Sequence, residues 1–170
     1  MPTPKPTALS SQQSPAAEAA DARASGPCAG ALDDMICFDI YSANLAVGRI
    51  YKPLLDGLGL TYPQYLVLMI LWRHDGVSLG EIGAVLGLES STLTPLVKRL
   101  EAAGFVTRRR SEEDERRVLI ELTEKGRAVQ GEEARIRSCV FGAAGLELEE
   151  ITQLQRLLRK LSGAIRESLD

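Results

Sequence analysis

Apolar side chains recur at helical spacing along most of the chain and alternate only once. From Met35 to Leu58 they fall at Ile36, Ile40, Leu45, Val47, Ile50, Leu54 and Leu55, which predicts a first long helix with Pro53 inside it and a stop at Gly57 and Gly59. Thr61-Tyr62-Pro63-Gln64 has the form of a capping box with proline in the first turn, and the apolar run Tyr65 to Trp72 behind it ends at Asp75-Gly76. That predicts a second, largely buried helix. Ser78 to Glu81 repeats the S-x-x-E form and opens a short helix, Leu79 to Leu86, closed by Gly87. After the turn at Leu88-Glu89, Ser90 to Ala103 carries the stripe Leu93, Leu96, Val97 and Leu100 and ends at Gly104.

The period then changes. Phe105 to Arg110 and Val118 to Leu122 predict two strands, the second placing Val118, Ile120 and Leu122 on one face, with a polar loop between them as a wing. Thr123 can cap a further helix through about Gly142, and Leu148 to Leu169 has Leu148, Ile151, Leu154, Leu157, Leu158, Leu161, Ile165 and Leu169 in a stripe that wants a partner. The fold class is therefore mainly α with a small β-hairpin wing, a winged helix-turn-helix with N- and C-terminal dimerisation helices. Residues 1–30, rich in Pro, Ala, Ser and Gln, are expected to be a flexible tail. A single domain over 31–170 follows, with the wing at about 105–122 and the dimerisation helices at about 33–58 and 124–169. Long helices at both ends of a compact unit suggest a homodimer.

Composition narrows the function. The 170-residue chain carries a net charge of -3, so nucleic-acid binding cannot rest on a general basic coat and needs a local cluster. Three cysteines, Cys28, Cys37 and Cys139, and the single His74 fit no metal-site spacing, so neither metal nor other cofactor is expected. No apolar run is long enough to span a bilayer and the N-terminus lacks the apolar centre of a secretory signal, so a cytoplasmic location away from membranes is expected.

The second helix of a helix-turn-helix enters the major groove, so its exposed N-terminal positions must be small or able to hydrogen-bond base edges. Ser90, Ser91, Thr92 and Thr94 meet that demand. Lys98 and Arg99 lie one or two turns further on, placed for phosphates, and Arg108, Arg109, Arg110, Arg116 and Arg117 concentrate charge in the wing. A Lys/Arg run is also what a solvated face looks like, and Glu112, Glu113, Asp114 and Glu115 dilute this one. The order of elements favours double-stranded operator DNA, although winged helices also serve as protein-binding modules.

The segment LGLESSTLTPLVKRLEAAGFVTRRRSEEDERRVLIELTEKG, Leu86 to Gly126, strongly resembles the MarR family of repressors, whose wing carries D-x-R, an alternating strand and L-T-x-x-G; Asp114, Arg116, Leu122, Thr123 and Gly126 match. The resemblance implies that Asp114 braces the wing and Arg116 reaches the minor groove. CFDIYSAN at Cys37 to Asn44 and RIYKPLLDGLGLTYPQYLVLMILW at Arg49 to Trp72 resemble one branch, the organic hydroperoxide resistance regulators. In that branch the matching cysteine reacts with peroxide and tyrosines matching Tyr51 and Tyr62 hold its sulfur. Some members carry a second, C-terminal cysteine at a similar distance, which would make Cys139 the partner of an intersubunit disulfide. The resemblance implies a non-enzymatic repressor with organic hydroperoxides as inducer.

The chemistry suits Cys37. A thiolate is the nucleophile toward an O–O bond, and unpaired N–H groups in the first turn of a helix favour an anion there. Tyr51 lies fourteen residues further on, roughly 21 Å along a helix at about 1.5 Å per residue, so a Tyr51 that touches the sulfur must come from the other subunit. Cys139 sits on a helix where a small apolar residue is ordinary, and Cys28 in the tail ranks last. A repressor released by a small aromatic ligand, a thiol enzyme reducing peroxides and a purely protein-binding winged helix are the alternatives. Replacing Arg116 by Ala is expected to weaken operator binding by about 1 to 3 kcal/mol in a gel shift if it reads the minor groove, and unchanged affinity removes that role.

Overall fold

The computed structural model describes residues 32, 34–111 and 117–169; the expected tail with Cys28, and Asp114 and Arg116 of the wing, lie outside the described residues. The helices are α1 (Ile36–Asp56), α2 (Tyr62–Arg73), α3 (Leu79–Leu86), α4 (Ser90–Ala102), α5 (Glu124–Ala128), α6 (Glu133–Ala144) and α7 (Leu148–Glu167). The strands are β1 (Val77–Ser78), β2 (Val106–Arg110) and β3 (Val118–Leu122). The chain divides inside α1 into two compact units, one reaching Leu45 and the other beginning at Ala46. In the first, Ile36, Phe38, Ile40, Tyr41 and Leu45 are all exposed.

The second unit holds the core, in which Leu68 and Leu71 of α2, Ile82 of α3, Leu93, Val97 and Leu100 of α4, Phe105, Ile120 of β3 and Ile136 of α6 are buried. Both capping boxes form. The Thr61 N–H donates to Gln64 Oε1 at 2.8 Å, and the Ser78 N–H and hydroxyl donate to Glu81 Oε2 at 2.7 and 2.6 Å. Those bonds from Ser78, followed by the Arg117 guanidinium, hold the Glu81 carboxyl below its ordinary pKa. Gly87 closes α3 at φ +66, a left-handed conformation that strains any residue with a Cβ.

The sheet has three antiparallel strands in the order β1-β3-β2, with Val106 opposite Leu122 and Arg110 opposite Val118. Beyond the expected hairpin, two-residue β1 pairs Val77 with Ile120 and Ser78 with Leu119, too short a segment for alternation to reveal. Asp75 continues that edge with its side chain: Oδ1 accepts the Leu122 N–H at 2.8 Å, and Oδ2 accepts from Arg127 at 2.6 Å. The helix expected from Thr123 through about Gly142 is interrupted. A 3₁₀ turn, Val129–Glu132, separates α5 from α6, and it contains Gly131, a residue poorer in an α-helix than alanine by about 1 kcal/mol.

The L-T-x-x-G segment locks the end of α4 to the start of α5. Thr123 Oγ1 accepts the Gly126 N–H at 3.1 Å and donates to the Gly104 carbonyl at 2.7 Å. Lys125 Nζ donates to the Ala103 carbonyl at 2.8 Å and stands 4.2 Å from the centre of the Phe105 ring. Gly126 sits so close to the Phe105 carbonyl that a Cβ there would lie 2.2 Å from its oxygen. Gly126→Ala is therefore expected to destabilise the fold by about 1 to 3 kcal/mol in urea denaturation. Gly131→Ala, with no atom within 4 Å of the added Cβ, should be neutral or stabilising at the same protein concentration.

Candidate functional site

The exposed face of α4 is the geometric candidate for a nucleic-acid contact. Leu93, Val97 and Leu100 turn inward, which leaves Ser90, Ser91, Thr92, Lys98 and Arg99 exposed and Thr94 half-buried on the opposite side. Pro95 stands on that exposed side inside the helix. Lacking an N–H, it cannot donate to the Ser91 carbonyl, which keeps that acceptor available at the helix start.

Three of the wing arginines, Arg108, Arg109 and Arg117, do not stand as bare charge. Arg108 Nε donates to Glu101 Oε2 at 2.7 Å, tying β2 to the last turn of α4. Arg109 pairs with Glu121 at 3.0 Å across the β2–β3 ladder, and Arg117 pairs with Glu81 at 3.2 Å, joining the wing base to the first turn of α3. These are surface pairs, so each adds little stability, but together they fix where the wing stands against the helix-turn-helix.

A second cluster is aromatic. The Tyr51 and Tyr62 ring centroids are 4.5 Å apart, Tyr51 and Tyr65 are 6.1 Å apart, and Tyr65 meets Trp72 edge-on at 5.7 Å. Burial raises the pKa of Tyr51, with the neighbouring Tyr62 adding to it, and burial raises Tyr62; burial together with nearby charges, Tyr51 foremost, pushes Tyr65 up to about 12. All three therefore keep their phenolic proton near neutral pH. Cys37, the second residue of α1, and Cys139 on α6 are both free, exposed thiols.

Residues 49–132 match the family model of the transcriptional regulator SarA/Rot. The chain is 51% identical over 119 residues to the HTH-type transcriptional regulator TtmR of Methylorubrum extorquens; the match covers 70% of this chain and spans 61% of TtmR's length. It is 43% identical over 130 residues to the organic hydroperoxide resistance transcriptional regulator of Bacillus subtilis, covering 76% of this chain and 88% of that one. The chain belongs to the MarR/SarA family of DNA-binding transcriptional regulators. Among solved structures of such regulators, reduced AbfR bound to DNA is 32% identical with a TM-score of 0.68, covering 82% of this chain and 95% of that one. AbfR, from Staphylococcus epidermidis, has also been solved with a disulfide formed, at 31% identity and a TM-score of 0.55 over 81% of this chain and 92% of that one.

In this MarR/SarA chain, the structure leaves Ser90, Ser91, Thr92, Lys98 and Arg99 of α4 exposed with Thr94 half-buried, and brings Tyr51 against Tyr62, while Arg108 is held by a carboxylate. Sequence reading missed Pro95, Glu101 and the organising role of Asp75. Only Pro95 had a local signal, a proline inside a helical stripe. Among the described residues no helix is long and apolar enough to cross a membrane.

Any phosphate approaching Arg108 would have to compete with Glu101. Glu101→Gln is expected to raise DNA affinity by about two- to fivefold at low salt, with the gain shrinking as salt rises, in a fluorescence-anisotropy titration. Equal affinities at every salt concentration would show that Arg108 does not exchange its carboxylate for phosphate.

Proposed function

We propose that the chain is a homodimeric repressor that holds operator DNA through α4 and the wing and releases it when an organic hydroperoxide oxidises Cys37. The observation that carries this reading is the Tyr51–Tyr62 pair, two half-buried phenols 4.5 Å apart that stay protonated and have O–H groups to donate. Phenolic donors at the sulfur would stabilise a thiolate where no basic side chain lies nearby in sequence. In the proposed dimer, Cys37 of one subunit faces the partner subunit's Tyr51 and the partner subunit's Tyr62. Two further findings support the reading: the Bacillus subtilis relative is named for organic hydroperoxide resistance, and the related AbfR is described both reduced on DNA and with a disulfide formed.

The chemistry balances in two steps. The Cys37 thiolate attacks the terminal oxygen of ROOH; an S–O bond forms and the O–O bond breaks, the sulfur losing the two electrons that the peroxide gains. The hydroperoxide proton stays on the new sulfenic oxygen, and the alkoxide takes a proton from solvent and leaves as ROH. The sulfenic acid then condenses with the Cys139 thiol of the partner subunit, forming an S–S bond and releasing water. The DNA contacts assigned to Ser90, Ser91, Thr92, Thr94, Lys98 and Arg99 go to bases and phosphates of the major groove, Arg108 and Arg116 place the wing on the backbone and in the minor groove, and Asp114 braces the wing.

Titration with cumene hydroperoxide, read by non-reducing electrophoresis beside an operator gel shift, tests the whole reading. Wild type should lose DNA and form a covalent dimer, Cys37→Ser should do neither, and Cys139→Ser should form no covalent dimer. A Cys37→Ser protein that still leaves DNA on peroxide places the sensor elsewhere.

A further inference from the structure

The aromatic cluster does not stop at the tyrosines. Tyr51 packs on Tyr65 as well as Tyr62, Tyr65 meets the edge of Trp72, and the Trp72 indole Nε1–H donates to the Gly126 carbonyl at 2.9 Å across fifty-four residues of sequence. Gly126 is the residue seated on the Phe105 carbonyl, and its neighbours Thr123 and Lys125 hold the Gly104 and Ala103 carbonyls at the end of α4. One continuous set of contacts thus runs from the sensor tyrosines to the C-terminal end of the recognition helix, all within the second unit.

We propose that Trp72 is a positioning residue that transmits the state of the Tyr51–Tyr62 pair to α4 through its hydrogen bond to Gly126. This inference rests on the peroxide-sensor reading above and adds the route by which oxidation reaches the DNA-binding face. Oxidation removes the anionic acceptor from the tyrosine hydroxyls and adds bulk at the sulfur. Tyr65 is buried between Tyr51 and Trp72, so a change of tilt at Tyr51 that displaces it is passed on to Trp72. A hydrogen bond to a backbone carbonyl is directional, so rotation of the indole pulls on Gly126 or breaks the bond. Gly126 has no slack on its other side, where the Phe105 carbonyl already sits at the limit of approach. The last turn of α4 must then shift.

Trp72→Phe keeps an aromatic ring against Tyr65 and deletes the donor. Three quantities decide the question: the rate of Cys37 sulfenic acid formation trapped with dimedone, the operator affinity of the reduced protein, and the fold-loss of that affinity after cumene hydroperoxide. The proposal expects the first two within about twofold of wild type and the fold-loss reduced at least fivefold. A Trp72→Phe protein that loses affinity on oxidation as fully as wild type overturns it, whether or not the reduced affinity has changed. If Trp72→Phe fails to fold or binds DNA more than tenfold more weakly when reduced, the decision passes to amide hydrogen exchange of wild type. Exchange at residues 100–105 and 123–127 should be at least threefold faster in the oxidised than in the reduced protein, and equal rates there overturn the route. A wild type that keeps its operator after Cys37 is oxidised overturns the sensor reading and this inference with it. A wild type that releases while Trp72→Phe releases equally overturns the coupling alone.

Discussion

The close approach of Gly126 to the Phe105 carbonyl is the constraint around which the DNA-binding unit is built. No residue with a Cβ can occupy that contact without displacing backbone, and three elements meet there. The end of α4 is held by Thr123 and Lys125, β2 begins at the next residue after Phe105, and α2 is attached through Trp72. Helix α4 and the wing therefore leave one junction rather than two, held by side chains that donate to backbone carbonyls and steadied further out by the arginine–carboxylate pairs. Asp75 does the same for the far edge of the sheet, acting as the strand residue that two-residue β1 lacks.

Electrostatics at the wing is a matter of competition rather than of excess charge. Arg108, Arg109 and Arg117 each lie against a carboxylate of the same chain, on α4, β3 and α3 respectively. Such pairs are weak in water, and on the proposed reading that suits groups that exchange a carboxylate for a phosphate. A chain with a net charge of -3 can in this way present cations to a nucleic acid without carrying a basic surface elsewhere.

Most of the architecture could be read from the order of residues because its signals are local. The S-x-x-E box at Ser78 and Glu81, the glycine stop at Gly87 and the stripe Leu93, Val97 and Leu100 each specify their element within a few positions, and the helices begin and end close to where those signals lie. What escaped is non-local. Strand β1 exists only because Ile120 and Leu119 arrive beside it, and the 3₁₀ turn that breaks the helix after α5 is not marked by the apolar spacing. The same holds for the candidate site. The polar start of α4 is legible as composition, whereas the pairing of Arg108 with Glu101 and the contact of Tyr51 with Tyr62 depend on tertiary placement that spacing does not encode.

Helix α7 is amphipathic from end to end, yet no side chain on it is buried: Leu148, Leu154, Leu157, Leu158 and Ile165 remain exposed along one stripe. A helix of this kind gains its stability from whatever covers that stripe, since its own turns supply little. On the proposed dimer, the covering surface is supplied to an extent set by mass action, so the fraction of chains fully folded rises with their own concentration. Copy number then acts twice on repression, once by assembling the regulator and once by filling its operator, which makes occupancy steeper in protein dosage than a preassembled protein would show.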